Sequence, residues 1–411
     1  MKFAVAVIAT TLVAVTACSS GKSAISTYPS TSAPTPTSTA PLPGTSNPRP
    51  STSATHPRPT PTPTRRAPRS AAQRTLLAMN EAQRVGQLFM VGASSAGPDG
   101  ATMNAITTYG VGSVILTDTT QRSATAIAAV SRELQASAPR TAKLFIATDQ
   151  EGGEVQRLQG SGFDSIPSGT AQGTFGPAQL RADARRWGGQ LRTAGVNLDL
   201  APVVDTVPRG ATNPPIGGLS RQYGSDPSVV ASHGIAFARG LADAGVDATI
   251  KHFPGLGRVM ANTDTASGVT DSITTRHDAY LAPFAAGIKA GAPFVMASTA
   301  YYTRIDPDHP AAFSPTVVTG MLRGDLGFRG VVISDDVGGA AQVAKYSPGS
   351  RAVDFIAAGG DVLLTVNAAQ IPEMTAVVLA RAKTDPKFRA EVEAAALRVL
   401  QAKQARGLLG G

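Results

Sequence analysis

The sequence has a single cysteine, Cys18, in 411 residues, so no intrachain disulfide can form. Histidine is nearly as scarce. His56, His233, His252, His277 and His309 are the whole set, and none falls in the His-Glu-x-x-His spacing of a zinc hydrolase. There is no Gly-x-Ser-x-Gly nucleophile elbow, no Walker phosphate loop and no glycine-rich dinucleotide fingerprint. A serine hydrolase, a zinc enzyme and a nucleotide-binding domain thus lose their sequence support, and neither a metal nor an organic cofactor is expected. No apolar run reaches the roughly 18 residues of a membrane-spanning helix. Acidic residues are missing altogether between Ser19 and Ser70.

That acid-free stretch explains the charge of the chain. The net charge is +9, but Lys2 and six stalk cations (Lys22, Arg49, Arg58, Arg65, Arg66 and Arg69) leave only +2 for residues 71–411. A nearly neutral folded part gives nucleic-acid binding no support, and a basic stalk suits an anionic envelope surface instead. Of the 52 residues from Ser19 to Ser70, 34 are Ser, Thr or Pro. Such a segment cannot bury enough apolar surface to fold, and its prolines keep it extended. Residues 1–17 read as an export signal: Lys2, then an apolar stretch from Phe3 to Ala17. A buried or membrane-anchoring helix is the alternative. Val15-Thr16-Ala17-Cys18 resembles a bacterial lipobox, with Cys18 becoming the lipidated N-terminus. The expected organisation is a lipoprotein signal peptide (1–17), a disordered stalk (18–70) and one folded domain (71–411). It implies an exported protein held on the membrane through Cys18, facing the cell envelope.

Within 71–411, eight short apolar runs alternate with helix-period stretches. The runs are Leu88–Val91, Ser113–Thr117, Leu144–Thr148, Val196–Ala201, Val246–Ile250, Phe294–Ala297, Val331–Ser334 and Asp361–Thr365. Helices are expected at Ala124–Gln135, Pro177–Thr193, Pro227–Ala244 and Asp278–Ala290, with Glu373–Lys383 and Pro386–Arg406 packing outside. Nearly continuous apolar strands separated by helices predict a parallel sheet covered on both faces. Eight of them predict a closed (β/α)8 barrel; a doubly wound open sheet is the runner-up. A monomer is expected.

In a barrel the ends of all eight strands share one rim, where the active site lies. The third run is followed by Asp149-Gln150-Glu151-Gly152-Gly153 and then Arg157. The fourth leads to Asp205 and, in its loop, Arg221. The fifth is followed by Lys251-His252-Phe253-Pro254-Gly255, and the seventh by Asp335-Asp336. Taken one at a time, these residues also fit helix caps or solvated ion pairs. Converging on one rim, they make a set of carboxylates with Lys, His and Arg donors. That set suits sugars, because glycoside cleavage runs on two carboxyl groups.

Lys251-His252-Phe253-Pro254-Gly255, Asp149-Gln150-Glu151-Gly152-Gly153 and Gly327-Phe328-Arg329-Gly330-Val331-Val332-Ile333-Ser334-Asp335-Asp336 together resemble glycoside hydrolase family 3. Within it, the chain looks most like the single-domain NagZ-type β-N-acetylglucosaminidases. The likeness spans about residues 75–408. It implies Asp335 as the nucleophile, Asp336 as structural, and Asp149, Arg157, Arg221, Lys251 and His252 as binders of an N-acetylglucosamine ring. It implies substrates built on β-1,4-linked N-acetylglucosamine and muramic acid, from peptidoglycan fragments.

One departure stands out. NagZ-type enzymes carry Asp-Ser-His in the loop after the Lys-His pair, and that His donates the proton. Here the loop reads Asn262-Thr263-Asp264. Asp264 is expected to serve as the acid/base directly, which requires burial or nearness to Asp335 to hold its proton. A loop Asp making a turn is the other reading, and Asp271 is a weaker substitute acid. A second departure is Glu154, where the family usually has Arg. Three alternatives stay open: a wall-binding lipoprotein with a decayed site, a β-glucosidase or xylosidase, and a phosphorylase of the same family.

Overall fold

The computed structural model describes residues 69–410. The expected signal peptide, Cys18 and the stalk up to residue 68 lie outside them. No helix among the described residues is long and apolar enough to cross a membrane.

The barrel strands are β1 (Phe89–Ala93), β2 (Ser113–Leu116), β3 (Phe145–Thr148), β4 (Leu198–Asp199), β5 (Asp247–Phe253), β6 (Phe294–Ala297), β7 (Val331–Ser334) and β8 (Leu363–Thr365). Each overlaps one of the eight apolar runs. From β1 to β7 each strand pairs in parallel with the next, and β1 also pairs in parallel with β8. A parallel bridge between Ile333 and Val362 joins β7 to β8 and closes the ring. Parallel strands that pair in chain order make a (β/α)8 barrel, as the alternation of runs and helices predicts.

Alternation along the strands fills the barrel. Met90, Ile115, Phe145, Leu198, Phe294, Met296, Ile333 and Leu364 point inward and form one buried cluster. Their neighbours Phe89, Val91, Val114, Ile146, Val295 and Val332 point outward, under the helices. That two-sided burial is why the strands read as continuous apolar runs. Phe145 and Phe294 meet edge to face inside the barrel, with ring centres 5.2 Å apart.

Local signals set the helix ends. Ser70 and Gln73 form a reciprocal capping box at the start of Ala71–Ala78. Pro177, Pro227 and Pro386 open their helices, where a missing N–H does no harm. Gly245 closes Pro227–Ala244 with φ 85°, a conformation that favours glycine. The expected helix Asp278–Ala290 is shorter, a single 3-10 turn followed by Ala282–Lys289.

One expectation is corrected. The last helix, Pro386–Arg406, does not only pack outside: it crosses the N-terminal end of the barrel. Val399 joins the interior cluster. Arg398 reaches Asp361 before β8 at 2.7 Å, and Arg406 pairs with Asp247 at the start of β5. Between them, Lys403 is fully buried. Its Nζ donates to Gln87 Oε1 at 2.7 Å and lies 5.9 Å from the Phe145 ring centre. Burial pushes its pKa down to about 7.

Between pH 7 and the usual lysine pKa of about 10.4, the unfolded chain binds the proton that the folded chain releases, so stability rises with pH there. Lys403→Met is expected to remove this rise, which amounts to at most about 1.4 kcal/mol per pH unit. Urea unfolding of both proteins from pH 7 to 10 would show it; parallel pH profiles would contradict it.

Candidate active site

β5 is the strand around which the rim is built. It runs seven residues, through Lys251 and His252 to Phe253, and then Pro254 and Gly255 end it. The apolar run ends at Ile250, and the strand continues past it through two polar residues. Its register against β6 shifts between Ile250 and Phe253. The Lys251–His252 and Phe253–Pro254 peptides are cis.

The Lys251 side chain is only 2 % exposed. Its Nζ lies 2.7 Å from Asp149 Oδ1 and 2.6 Å from Glu151 Oε1. Asp149 and Glu151 are two residues apart in extended chain after β3, so both carboxyls face the same side. Arg221, from the loop after β4, forks onto Glu151 through Nε at 2.8 Å and Nη2 at 2.7 Å. Burial opposes the charged form of Glu151, but Arg221 and Lys251 outweigh it and hold the carboxyl well below its usual range. Burial likewise opposes the charge of Lys251, and Asp149 and Glu151 more than reverse it.

Asp205 orients His252. Its Oδ2 sits 2.7 Å from Nδ1 of the ring, and its Oδ1 accepts the backbone N–H of His252 at 3.1 Å and of Leu256 at 2.9 Å. Arg221 Nη2 lies 3.3 Å from Nε2. A guanidinium only donates, so Nε2 is the acceptor and the proton sits on Nδ1.

Asp335 follows β7. Its Oδ1 accepts the N–H of Asp336 at 2.9 Å. Burial pushes its carboxyl up to about 6, with Asp264 pushing it further up and Lys251 drawing it down. Asp336 is turned to the backbone: it accepts from Gly338, Gly339 and Val366 at 2.9, 3.0 and 3.1 Å. Asp264 is exposed, and its N–H is held by Asn262 Oδ1 at 2.9 Å.

The seven residues singled out from the sequence, Asp149, Arg157, Arg221, Lys251, His252, Asp264 and Asp335, all line one cavity of about 400 Å³. Arg157 reaches Thr119 Oγ1 at 3.2 Å, and its buried Nε has no partner among the described residues. Asp271 is not among the lining residues. It is buried and caps its own turn, accepting from Ile273 N, Thr274 N and Thr274 Oγ1. Glu154 is exposed and also outside the lining. Sequence reasoning placed Glu151 and Asp205 among the strand-end acids but gave neither a role in the site. The two-residue spacing from Asp149 was a signal for Glu151. Asp205 had none beyond its place after the fourth strand.

The family model "Glycosyl hydrolase family 3 N terminal domain" matches residues 81–402. The chain belongs to glycoside hydrolase family 3. A beta-hexosaminidase of Stenotrophomonas maltophilia (strain K279a) is 38 % identical over 260 residues, which is 61 % of this chain and 75 % of that protein. Among solved structures, a beta-N-acetylhexosaminidase from Beutenbergia cavernae DSM 12333 is 50 % identical with a TM-score of 0.78, covering 79 % of this chain and 99 % of the other. LpqI of M. tuberculosis is 27 % identical with a TM-score of 0.71, covering 82 % and 96 %. As a family 3 member the chain is a glycoside hydrolase, and the rim of its barrel is the place for that chemistry.

Removing the ammonium from this rim leaves two carboxylates facing each other with one counter-charge fewer. Lys251→Met is expected to destabilise the protein by roughly 3–5 kcal/mol, the usual cost of breaking a buried ion pair from one side. Urea unfolding measures it; a change under 1 kcal/mol would contradict the role given to Lys251.

Proposed function

We propose that this protein is a retaining exo-β-N-acetylglucosaminidase that releases N-acetylglucosamine from peptidoglycan fragments. The carrying observation is the meeting of two carboxyls, Asp335 from the end of β7 and Asp264 from the loop after β5, in one cavity with Lys251, His252, Arg157 and Arg221. Relatives described as beta-hexosaminidase and beta-N-acetylhexosaminidase support the N-acetyl sugar.

In this reading, Lys251, His252, Asp149, Arg157 and Arg221 hold the terminal ring by its polar groups. Asp264 protonates the glycosidic oxygen as the bond breaks. Asp335 attacks the anomeric carbon and forms a glycosyl-enzyme. Water then gives a proton to Asp264 and attacks the same carbon, so the configuration is retained. The lipobox-like Cys18 and the long Ser/Thr/Pro stalk support an enzyme tethered to the envelope, near wall-derived glycans. Fragments carrying N-acetylglucosamine β-1,4-linked to muramic or anhydro-muramic acid are the proposed substrates.

The test uses aryl β-N-acetylglucosaminides and the full chain. Asp335→Ala is expected to lose at least about 10³-fold in kcat/KM. Asp264→Ala is expected to lose about 10²–10⁴-fold on substrates with poor leaving groups, to keep most activity on activated ones, and to recover with azide. Asp335 must be ionised to attack, so kcat/KM should fall as pH drops below about 6. Wild-type protein that binds such glycans without cleaving them would instead support the decayed, wall-binding alternative. Glycosyl phosphate formed in phosphate buffer would turn the reaction into phosphorolysis.

A further inference from the structure

The loop that carries Asp264 is long and polar, yet it is held at both ends by buried side-chain amides. At its start, Asn213 Nδ2 donates to Leu256 O at 2.7 Å and Val259 O at 2.9 Å. A Cβ on Gly257 would lie 1.8 Å from Thr206 O, so the backbone there is pressed against the loop after β4. At its far end, Gln342 pairs with Val269 as a backbone strand would: Val269 N–H donates to Oε1 at 2.8 Å, and Nε2 donates to Val269 O at 2.9 Å. Gln342 is 2 % exposed.

The same segment grips the centre of the loop. Ala341 N donates to Asp264 O at 3.0 Å, and Gln342 N donates to Thr263 O at 3.1 Å. Gln342 stands seven residues after Asp335 in the chain. The strand end that presents one carboxyl is thereby tied, through four hydrogen bonds, to the loop that presents the other.

We propose that Gln342 is a positioning residue for proton transfer: it fixes the Asp264 loop against the Asp335 segment and so sets the reach of Asp264 to the glycosidic oxygen. The inference rests on the reading of Asp264 as the acid/base. Gln342 itself is not among the residues that line the cavity. Misplacing a catalytic group by about 1 Å is enough to cost on the order of 10²-fold. The cost should fall only on the step that Asp264 serves. An unfavourable leaving group needs the proton; an activated one such as 2,4-dinitrophenol departs without it.

The test compares Gln342→Ala, Gln342→Glu and Asp264→Ala in the full chain. kcat/KM is measured on phenyl and 2,4-dinitrophenyl β-N-acetylglucosaminides. Gln342→Ala is expected to lose about 10- to 100-fold on the phenyl substrate and less than about threefold on the dinitrophenyl one. Gln342→Glu keeps the volume and the acceptor for Val269 N–H. It is expected to fall between wild type and Gln342→Ala on the phenyl substrate, and it stands in should the alanine variant fail to fold. Equal losses on both substrates, or no loss on either, would overturn the positioning role. If Asp264→Ala shows no preference for the activated leaving group, the assignment of the acid fails first and the inference with it. A selective loss in Asp264→Ala without one in the Gln342 variants sinks the inference alone.

Discussion

The Lys251 ammonium, almost sealed from water between Asp149 and Glu151, is the interaction on which the rim depends. A buried charge is tolerated only when its partners are in place. Here Lys251 and Arg221 are matched by Asp149 and Glu151, two of each sign. Lys251 stands 102 residues from Asp149, and Arg221 stands 70 from Glu151. Only a fold that brings the ends of β3, β4 and β5 together can satisfy all four. The cluster and the barrel therefore specify each other: a slip of one residue in β5 would turn Lys251 to the other face and leave the acids unmatched.

From that cluster the order spreads by shared partners. Arg221, anchored by Glu151, fixes the acceptor side of His252, while Asp205 fixes its donor side. Lys251 then lies close enough to Asp335 to draw its carboxyl back towards the charged form against burial. The opposite end of the barrel is built differently. There Asp361 takes both Arg323 and Arg398, and Lys403 is left with one neutral acceptor. These groups close the floor beneath the interior side chains. Reactive groups thus concentrate where the strands end, and structural ones where they begin.

Much of this arrangement was legible in the sequence, for identifiable reasons. Strands covered on both faces must be apolar throughout, so all eight stood out, and polar residues at their ends marked the rim. The parts that stayed hidden depend on distance in space. Lys251 and His252 look like loop residues, yet β5 continues through them because their polar ends are answered across the barrel. Lys403 continues the stripe of Val392, Val399 and Leu400 at helical spacing, but its charge masks that burial, and only the fold reveals that it faces Gln87. Asp205 gains its role from a ring 47 residues away. Gln342 has no sequence signal, because an amide in a loop matters only for the backbone it meets.

A retaining mechanism asks for two carboxyls at a fixed short separation, roughly 5 Å. Asp335 sits on a strand end, which is rigid. Asp264 sits on an exposed loop, which would be a poor place for a group with a distance to keep. The structure answers this with shared backbone contacts. Asp336 pins the turn after Asp335 to Val366, and the chain a few residues further on holds Thr263, Asp264 and Val269. The second carboxyl thereby gains a reference to the first within one domain. In the proposed mechanism this reference is what lets Asp264 meet the glycosidic oxygen while Asp335 meets the anomeric carbon on the opposite side of the same bond.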